Sequence, residues 1–220
     1  MIFENGIDDI VIAKSEIFDG MKDGGIAILN SDHSNFDQLK KNAEKKNLKV
    51  LSYGERKSAD TYIKDIIEAA NGSRVQANVL GEDISYSLQI AGKHIAVNAL
   101  SVVTAVKSCG ENLDKAISAL SKQEPVQGRG KREFLDLGIL NNPITLIDES
   151  YNASPTAMQA AFKVLALIDP GRGGRRIAIL GDMLELGRDS NNMHADLALP
   201  LKAANVDLVY TCGKRMKNLY

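Results

Sequence analysis

Residues 25–54 read GIAILNSDHSNFDQLKKNAEKKNLKVLSYG, and this stretch decides the fold class. It opens with a short apolar run, residues 25–30, which polar residues close; such a run is typical of a buried parallel strand. Residues 36–43 then place Phe, Leu and Ala on one face of a predicted helix, and a second apolar run follows at residues 49–54. Because a strand, a helix and another strand follow one another, the sequence predicts an α/β protein.

The pattern changes between residues 60 and 92, where glycines recur and part of the sequence alternates apolar with polar residues. This alternation predicts short antiparallel strands at the edge of the first domain. Two helices are expected next, one over residues 95–106 that ends at Gly110 and one over residues 113–120. The first half of the chain is therefore expected to combine parallel and antiparallel strands in a mixed sheet.

A second α/β unit is predicted for the rest of the chain, after a Gly-rich, basic and apolar-poor segment at residues 125–131. Three strands, which would make a thin sheet, are expected at residues 144–148, 177–182 and 206–210. Ser154 is the expected N-cap of a helix that starts with Pro155. Pro200 falls inside another predicted helix and is expected to kink it.

Charge and composition argue against several classes of partner. Over 220 residues, 27 Lys and Arg residues balance 28 Asp and Glu residues, so the net charge of -1 argues against a nucleic acid or a membrane surface as the main partner. Cys109 and Cys212 lie far apart and form neither a disulfide framework nor a zinc motif. No apolar run approaches the roughly 20 residues of a membrane span, and the first residues lack a signal-peptide layout, so we expect a cytoplasmic protein.

Polar loops follow three of the predicted strands, at residues 30–32, 148–152 and 182–185. In open parallel sheets ligands bind outside the carboxyl ends of the strands, so each loop is a candidate binding site. Helix capping and turn chemistry are the alternative for each of them. On spacing alone, the sequence contains no catalytic motif of the P-loop, zinc-protease or serine-hydrolase kind.

Two of these loops carry distinctive motifs, DESYNASP at residues 148–155 and ILGDMLELG at residues 179–187. The first resembles the D-D-S-Y-N-A-N-P segment of the Mur ligases, and the second resembles a segment of the branch of that family that adds D-alanyl-D-alanine. Shorter resemblances to family motifs occur at residues 13–18, 30–32, 92–100 and 128–129. The motifs occur in the family's order and cover nearly the whole chain, so the sequence as a whole is similar to the Mur ligases.

The resemblance implies a fold and a chemistry. It implies a partial central, ATPase-type domain with a mixed sheet at residues 1–124, a linker at 125–130, and a truncated Rossmann-like carboxy-terminal domain with a parallel sheet at 131–220. Such ligases use ATP and Mg²⁺ to activate a carboxylate of UDP-N-acetylmuramoyl-tripeptide as an acyl phosphate, which the amine of D-alanyl-D-alanine attacks. The implied role is peptidoglycan precursor synthesis, on which cell-wall biogenesis, cell shape and cell division depend.

The resemblance also implies roles for individual residues. Lys14 matches the lysine that carries a carbamate in this family and would so become a Mg²⁺ ligand; the alternative is an exposed helix lysine. Asn98 matches an adenine-contacting asparagine, because an amide can donate to and accept from a purine edge. Arg129 matches a phosphate-contacting arginine and is, with Lys14, a catalytic candidate; a solvated linker charge is the alternative. Glu149 matches the acidic residue that holds the ribose, and Asn152 is a further cofactor-binding candidate or only shapes its loop.

Three positions depart from the family's pattern. Glu149 replaces an aspartate and is one methylene longer, which could displace the ribose contact. Ile95 and Ser154 stand where asparagine is usual, although Ser154 still suits an N-cap. His94 is expected to cap or pack near Asn98 rather than to bind a ligand.

The family's P-loop, its acidic and histidine magnesium ligands and its amino-terminal UDP-sugar domain are expected before Lys14, and the last part of its carboxy-terminal domain after Tyr220. We therefore expect a middle-to-late piece of such an enzyme, without ligase turnover on its own. Two other hypotheses stay open: a folded truncated module that binds nucleotide weakly at most, and an unrelated doubly wound nucleotide-binding domain. The last lacks support because no G-x-G-x-x-G follows a strand.

Overall fold

The computed structural model describes residues 7–136, 138 and 144–220. The chain divides into two compact units. The first comprises the described residues through Ile67 together with Ser73–Leu88 and Lys93–Gln123, and the second comprises Glu68–Gly72, Gln89–Gly92 and Glu124–Tyr220. The predicted linker at residues 125–130 and the domain boundaries on either side of it stay predictions.

Helices and strands alternate at the start of the chain. In chain order they are α1 (Ile7–Ser15), a 3-10 turn (Glu16–Gly20), β1 (Ile26–Asn30), α2 (Phe36–Glu44), β2 (Lys49–Gly54), β3 (Thr61–Ala69), β4 (Gly72–Val79), β5 (Glu82–Leu88), α3 (Lys93–Ser108) and α4 (Leu113–Leu120). The five strands form one sheet in the order β1-β2-β3-β4-β5. Strands β1, β2 and β3 run parallel, whereas β4 and β5 are antiparallel, so the sheet is mixed as predicted.

The largest core cluster of the first unit lies between α3 and the later strands. The buried face of α3 presents Ala96, Leu100 and Val103, which share this cluster with Val75 and Tyr86 from β4 and β5. Strands β3, β4 and β5 are nine, eight and seven residues long, so the expectation of short strands is wrong. The expectation of antiparallel strands is confirmed for β4 and β5, whereas β3 pairs in parallel with the preceding strand β2.

The second unit contains two small sheets among its described residues. Its elements are β6 (Lys131–Leu135), β7 (Ile144–Asp148), α5 (Pro155–Ala166), β8 (Ile177–Gly181), a 3-10 turn (Gly187–Asp189), α6 (Ser190–Ala195), α7 (Ala198–Ala203), β9 (Leu208–Cys212) and a 3-10 turn (Arg215–Leu219). Strands β6 and β7 are antiparallel, whereas β8 and β9 are parallel. One face of β8 contributes to a core of buried side chains, which includes Phe162, Leu180, Met183, Leu197 and Met216.

Two expectations for the second unit are wrong. The three predicted strands do not share one sheet in the described part of the chain, because β7 pairs with β6, a strand that the sequence pattern missed. Pro200 does not kink a helix: the helix stops at Ala195, and Pro200 is the third residue of the next helix, α7. The first four N–H groups of a helix have no acceptor within it, so the proline's lack of an N–H removes no hydrogen bond from α7.

Other local expectations are confirmed. The Ser154 side chain accepts a hydrogen bond from the Ala157 N–H at 3.2 Å, with Pro155 at the first helical position of α5. Gly110 follows α3 with a φ of 74°, a left-handed conformation that favours glycine at a helix end. No helix within residues 7–136, 138 and 144–220 is long and apolar enough to span a lipid bilayer.

Candidate functional site

A network of hydrogen bonds joins the loop before β6 to the turn after β7. We call Gly128–Gly130 the glycine loop and Asp148–Tyr151 the acidic turn. The Asp148 carboxylate accepts hydrogen bonds from the Gly128 N–H at 2.9 Å and the Ser150 N–H at 3.0 Å. The Gly130 N–H donates to the Asp148 carbonyl at 2.8 Å, and the Tyr151 N–H donates to the Gly128 carbonyl at 3.1 Å. The two segments are therefore fixed against each other over their whole length.

These hydrogen bonds stabilise the charged form of Asp148. The Ser150 side chain and then its backbone N–H contribute most, and together with the Gly128 N–H they hold the pKa of Asp148 below its usual value. The carboxylate is thus used as a structural anchor for both segments. The sequence analysis named Glu149 and Asn152 in this region and missed the anchoring role of Asp148.

The glycines allow the close approach of the two segments. Gly128 has a φ of 76°, and a Cβ atom there would lie 2.9 Å from the Tyr151 Cβ and 3.0 Å from the Tyr151 nitrogen. Gly130 has a φ of 82°, and its added Cβ would lie 3.2 Å from a carboxylate oxygen of Glu149. A left-handed backbone together with such close neighbours favours glycine at both positions.

Arg129 lies between these glycines with its side chain exposed. Its guanidinium carbon lies 4.3 Å from the centroid of the Tyr151 ring, which is a cation–π contact. Within the described part of the chain, no hydrogen bond or ion pair engages this guanidinium. Its N–H donors are therefore available to an anion such as a phosphate group, whose oxygens match the guanidinium fork.

Glu149 lies beside a pocket of about 310 Å³ within the second unit. The pocket is also lined by Gln89, Ile90, Pro125, Lys131 and Arg132. Partial burial, and then repulsion by Asp148, raise the pKa of Glu149, whereas attraction to Arg129 opposes the rise. A carboxylate at the edge of such a pocket can accept hydrogen bonds from ligand hydroxyl groups.

The remaining candidate of this region, Asn152, is exposed. Its side-chain oxygen accepts a hydrogen bond from the Ala153 N–H at 2.9 Å, so that oxygen shapes the turn. Within the second unit, the structure thus brings together Arg129 and Glu149, and it places Asn152 just beyond them in the chain.

Polar residues also meet at the carboxyl ends of β1 and β2. The Ser31 N–H and hydroxyl group donate to the Tyr53 carbonyl at 2.8 and 3.1 Å. The Asp32 carboxylate accepts the Glu55 N–H at 2.7 Å. A Cβ atom on Gly54 would lie 2.6 Å from an Asp32 carboxylate oxygen, so the absence of a side chain there lets Asp32 lie against the end of β2.

The amino-terminal part of α3 is tied to this strand edge. Lys93 forms an ion pair with Glu55. The side chains of Tyr53 and Ser101 share a hydrogen bond. Burial raises the pKa of Tyr53, and this effect outweighs the lowering by the hydrogen bond. Asn98 lies between Lys93 and Ser101 on α3 and is exposed. The backbone carbonyl of Asn98 accepts a hydrogen bond from the Ser101 hydroxyl at 2.7 Å. Within the described residues, no hydrogen bond engages its side-chain amide.

Lys14 lies in the last turn of α1 and is exposed. The Ser15 hydroxyl accepts from Asn42 at 3.0 Å and donates to the Val11 carbonyl at 2.8 Å, which fixes this helix end. Within the described ranges, Lys14 has no hydrogen-bond or ion-pair partner, and no group of three or more His, Cys, Asp or Glu residues could hold a metal ion. The described residues therefore form a magnesium site only if Lys14 becomes a carbamate or if further ligands are supplied.

The third polar loop, after β8, is used structurally. The Asp182 carboxylate accepts hydrogen bonds from the Arg215 N–H at 3.0 Å and the Met216 N–H at 2.9 Å. Fully buried His194 accepts the Met183 N–H on Nε2 at 3.0 Å, so its Nδ1–H donates to the Ser190 carbonyl at 2.6 Å. In this loop the Asp182 carboxylate holds the first residues of the last 3-10 turn, which is a structural role.

Comparison with known protein families assigns both halves of the chain. Residues 3–106 match the Mur ligase middle domain, and residues 137–219 match the domain described as "Mur ligase, glutamate ligase domain". The UDP-N-acetylmuramoyl-tripeptide–D-alanyl-D-alanine ligase of Escherichia coli K12 is 31% identical over 92% of this chain and 43% of its own length. The ligase of the same name from Bacillus subtilis 168 is 29% identical over 94% of this chain and 42% of its own length.

Solved structures show the same relationship. MurF from Acinetobacter baumannii superposes with a TM-score of 0.84 at 27% identity, over 97% of this chain and 44% of that protein. MurF from Thermotoga maritima, crystallised in complex with ADP, shares the fold with a TM-score of 0.78 at 22% identity, over 96% of this chain and 46% of its own. The chain thus spans less than half the length of the relatives it matches. Because two domain profiles of one family account for residues 3–106 and 137–219, this chain belongs to the Mur ligase family.

Proposed function

We propose that these 220 residues supply the central and carboxy-terminal parts of an ATP-dependent ligase that joins D-alanyl-D-alanine to UDP-N-acetylmuramoyl-tripeptide. The reaction would belong to peptidoglycan precursor synthesis in the cytoplasm. The observation that carries the proposal is the 31% identity to the E. coli ligase of that name over 92% of the chain. Since the chain spans 43% of that relative, the complete activity would also need residues outside these 220.

The proposed reaction has two steps. A carboxylate oxygen of the tripeptide attacks the γ-phosphorus of ATP, the bond to the bridging oxygen breaks, and ADP leaves. The amine of D-alanyl-D-alanine then attacks the acyl carbon, loses a proton and forms the peptide bond, and inorganic phosphate leaves. Magnesium, when bound, would neutralise phosphate charge. Both steps require that water be kept away from the acyl phosphate.

The candidate residues have chemistry that suits separate parts of the nucleotide. Arg129 offers a guanidinium whose donors no described residue engages, which suits phosphate oxygens. Glu149 offers a carboxylate at a pocket of about 310 Å³, which suits the ribose hydroxyls. Asn98 offers an amide that can pair with the edge of adenine. Lys14 is exposed and could be carboxylated by carbon dioxide to a carbamate, which would provide an oxygen ligand for Mg²⁺.

The alternative is a folded module that binds nucleotide weakly and has no ligase activity. The sequence supports it for the isolated chain, because the 220 residues contain no G-x-x-x-x-G-K-[ST] loop to hold the phosphates. We therefore propose that the isolated chain has no ligase activity. The two proposals differ in whether the chain becomes active when the remaining parts of a related ligase are supplied.

A chimera separates these proposals. The chain would replace the matching segment of the E. coli ligase, and ADP release would be measured with UDP-N-acetylmuramoyl-tripeptide, D-alanyl-D-alanine, ATP and Mg²⁺. We expect turnover by the chimera, loss of turnover in Arg129→Ala, and none from the isolated chain. Arg172→Ala is the matched control, because Arg172 is an exposed arginine outside the glycine loop. A folded chimera without turnover would contradict the ligase proposal, and turnover by the isolated chain would contradict its inactivity.

A further inference from the structure

The acidic turn exposes an aromatic ring that the candidate site residues do not explain. Tyr151 is 68% exposed, so its ring contributes little to the core. The ring instead lies under the Arg129 guanidinium, whose central carbon is 4.3 Å from the ring centroid. We infer that Tyr151 is a positioning residue, which holds the Arg129 guanidinium ready for the phosphate oxygens of a nucleotide. This inference rests on the proposed function.

Backbone contacts fix the backbone and the Cβ atom of Tyr151, from which the ring projects. The Tyr151 N–H donates to the Gly128 carbonyl at 3.1 Å, and the Tyr151 Cβ lies against the α-carbon side of Gly128 where no side chain intervenes. Asp148 holds the start of the same turn through the Gly128 and Ser150 N–H groups. The backbones of Tyr151 and of the glycine loop that carries Arg129 therefore belong to one hydrogen-bonded assembly, so the side chain of Arg129 meets the ring without a large rearrangement.

Stacking orders Arg129 without engaging its N–H donors. A carboxylate partner would take up donors and offset the positive charge, which would weaken an anion site. Glu149 interacts with Arg129 through its charge, but no ion pair forms between them in the described structure. An aromatic face attracts the cation through its quadrupole and leaves the edge of the guanidinium open. The pair thus reduces the conformational entropy that Arg129 would lose on binding phosphate.

The test compares Tyr151→Phe, which keeps the ring, with Tyr151→Leu, which keeps a large apolar side chain but no aromatic face. Tyr210→Leu is the matched control, because Tyr210 is an exposed tyrosine on β9 in the same unit. The first readout is the NMR chemical shift of the Arg129 side-chain protons, which a neighbouring ring moves upfield. The second is the dissociation constant of ADP for the 220-residue chain, measured by calorimetry.

We expect upfield Arg129 signals in the wild type and in Tyr151→Phe, and their loss in Tyr151→Leu. We expect ADP affinity to fall about two- to fivefold in Tyr151→Leu, which corresponds to an exposed cation–π contact, and to stay unchanged in Tyr151→Phe and Tyr210→Leu. Equal ADP affinity of Tyr151→Leu and the wild type, or Arg129 signals that no ring shifts, would overturn the inference alone. No ADP binding by the wild type would instead refute nucleotide binding by the isolated chain, and the positioning role with it.

Discussion

Gly128→Ala is the substitution that tests the glycine loop most sharply. Two effects add at this position. The alanine must keep a φ near 76°, in the left-handed region, and its Cβ would lie 2.9 Å from the Tyr151 Cβ. The backbone conformation costs about 1–2 kcal/mol for a residue with a side chain, and overpacking costs about 1–3 kcal/mol. We expect a total destabilisation of about 2–5 kcal/mol from these two ranges.

Gly173→Ala separates the two effects. Gly173 has a φ of 74°, nearly that of Gly128, but a Cβ atom there would have no neighbour within 4 Å. We therefore expect Gly173→Ala to lose only the backbone contribution, about 1–2 kcal/mol. Urea unfolding followed by circular dichroism compares the two variants, which lie in the same unit.

ADP binding supplies the second readout of this pair. Because the added methyl group must push Tyr151 away, the ring leaves Arg129 and the loop that carries it moves. We expect ADP affinity to fall about tenfold or more in Gly128→Ala, as for loss of a hydrogen bond to a charged group, and to be unchanged in Gly173→Ala. If both variants lost the same stability and bound ADP equally, the close packing of the glycine loop on the acidic turn would be refuted.

Three further predictions concern single residues. Because burial raises the pKa of Glu149, its proton binds more tightly in the folded state, and this group makes the protein more stable as pH falls through that raised pKa. Glu149→Gln should therefore have a higher free energy of unfolding than the wild type near neutral pH, and this difference should shrink in acid. Urea unfolding across pH measures it, and a difference that grows in acid would contradict the prediction. Asn98→Ala should weaken ADP binding while changing the free energy of unfolding by less than about 0.5 kcal/mol, because Asn98 is exposed; a loss of stability without a change in binding would assign it a structural role. Lys14→Gln should remove a carbamate carbon signal that appears in the ¹³C NMR spectrum of the wild type under labelled bicarbonate; no such signal in the wild type would contradict carbamate formation.

The local elements of the fold could be predicted because each has a pattern of its own. The apolar runs predicted at residues 25–30 and 49–54 are bounded by polar turns, and the structure confirms them as β1 (Ile26–Asn30) and β2 (Lys49–Gly54). Gly110 and Ser154 lie at helix ends, where their backbone or side-chain chemistry is specific. In such cases the physical cause lies within a few neighbouring residues, so the sequence alone contains it.

Pairing between distant segments could not be predicted in the same way. Strand β6 at Lys131–Leu135 pairs with β7, and its polar and largely exposed sequence lacks the apolar run of a core strand. The resemblance to the Mur ligases named Arg129 and Glu149, but the ring of Tyr151 under Arg129 depends on the conformations of Gly128 and Gly130. Arg129 and Tyr151, which are far apart in the sequence, meet there because two left-handed glycines turn the backbone, which periodicity does not encode.

We propose above all that this chain supplies part of a ligase that adds D-alanyl-D-alanine. The most direct measurement uses the chimera in which this chain replaces the matching segment of the E. coli ligase. It is the mass of the product that this chimera forms from ATP, Mg²⁺, UDP-N-acetylmuramoyl-tripeptide and D-alanyl-D-alanine. We predict a product with the mass of the tripeptide substrate plus D-alanyl-D-alanine less one water, which disappears in Arg129→Ala and persists in Arg172→Ala. ADP release by a folded chimera without that product, or a product that persists in Arg129→Ala, would contradict the account.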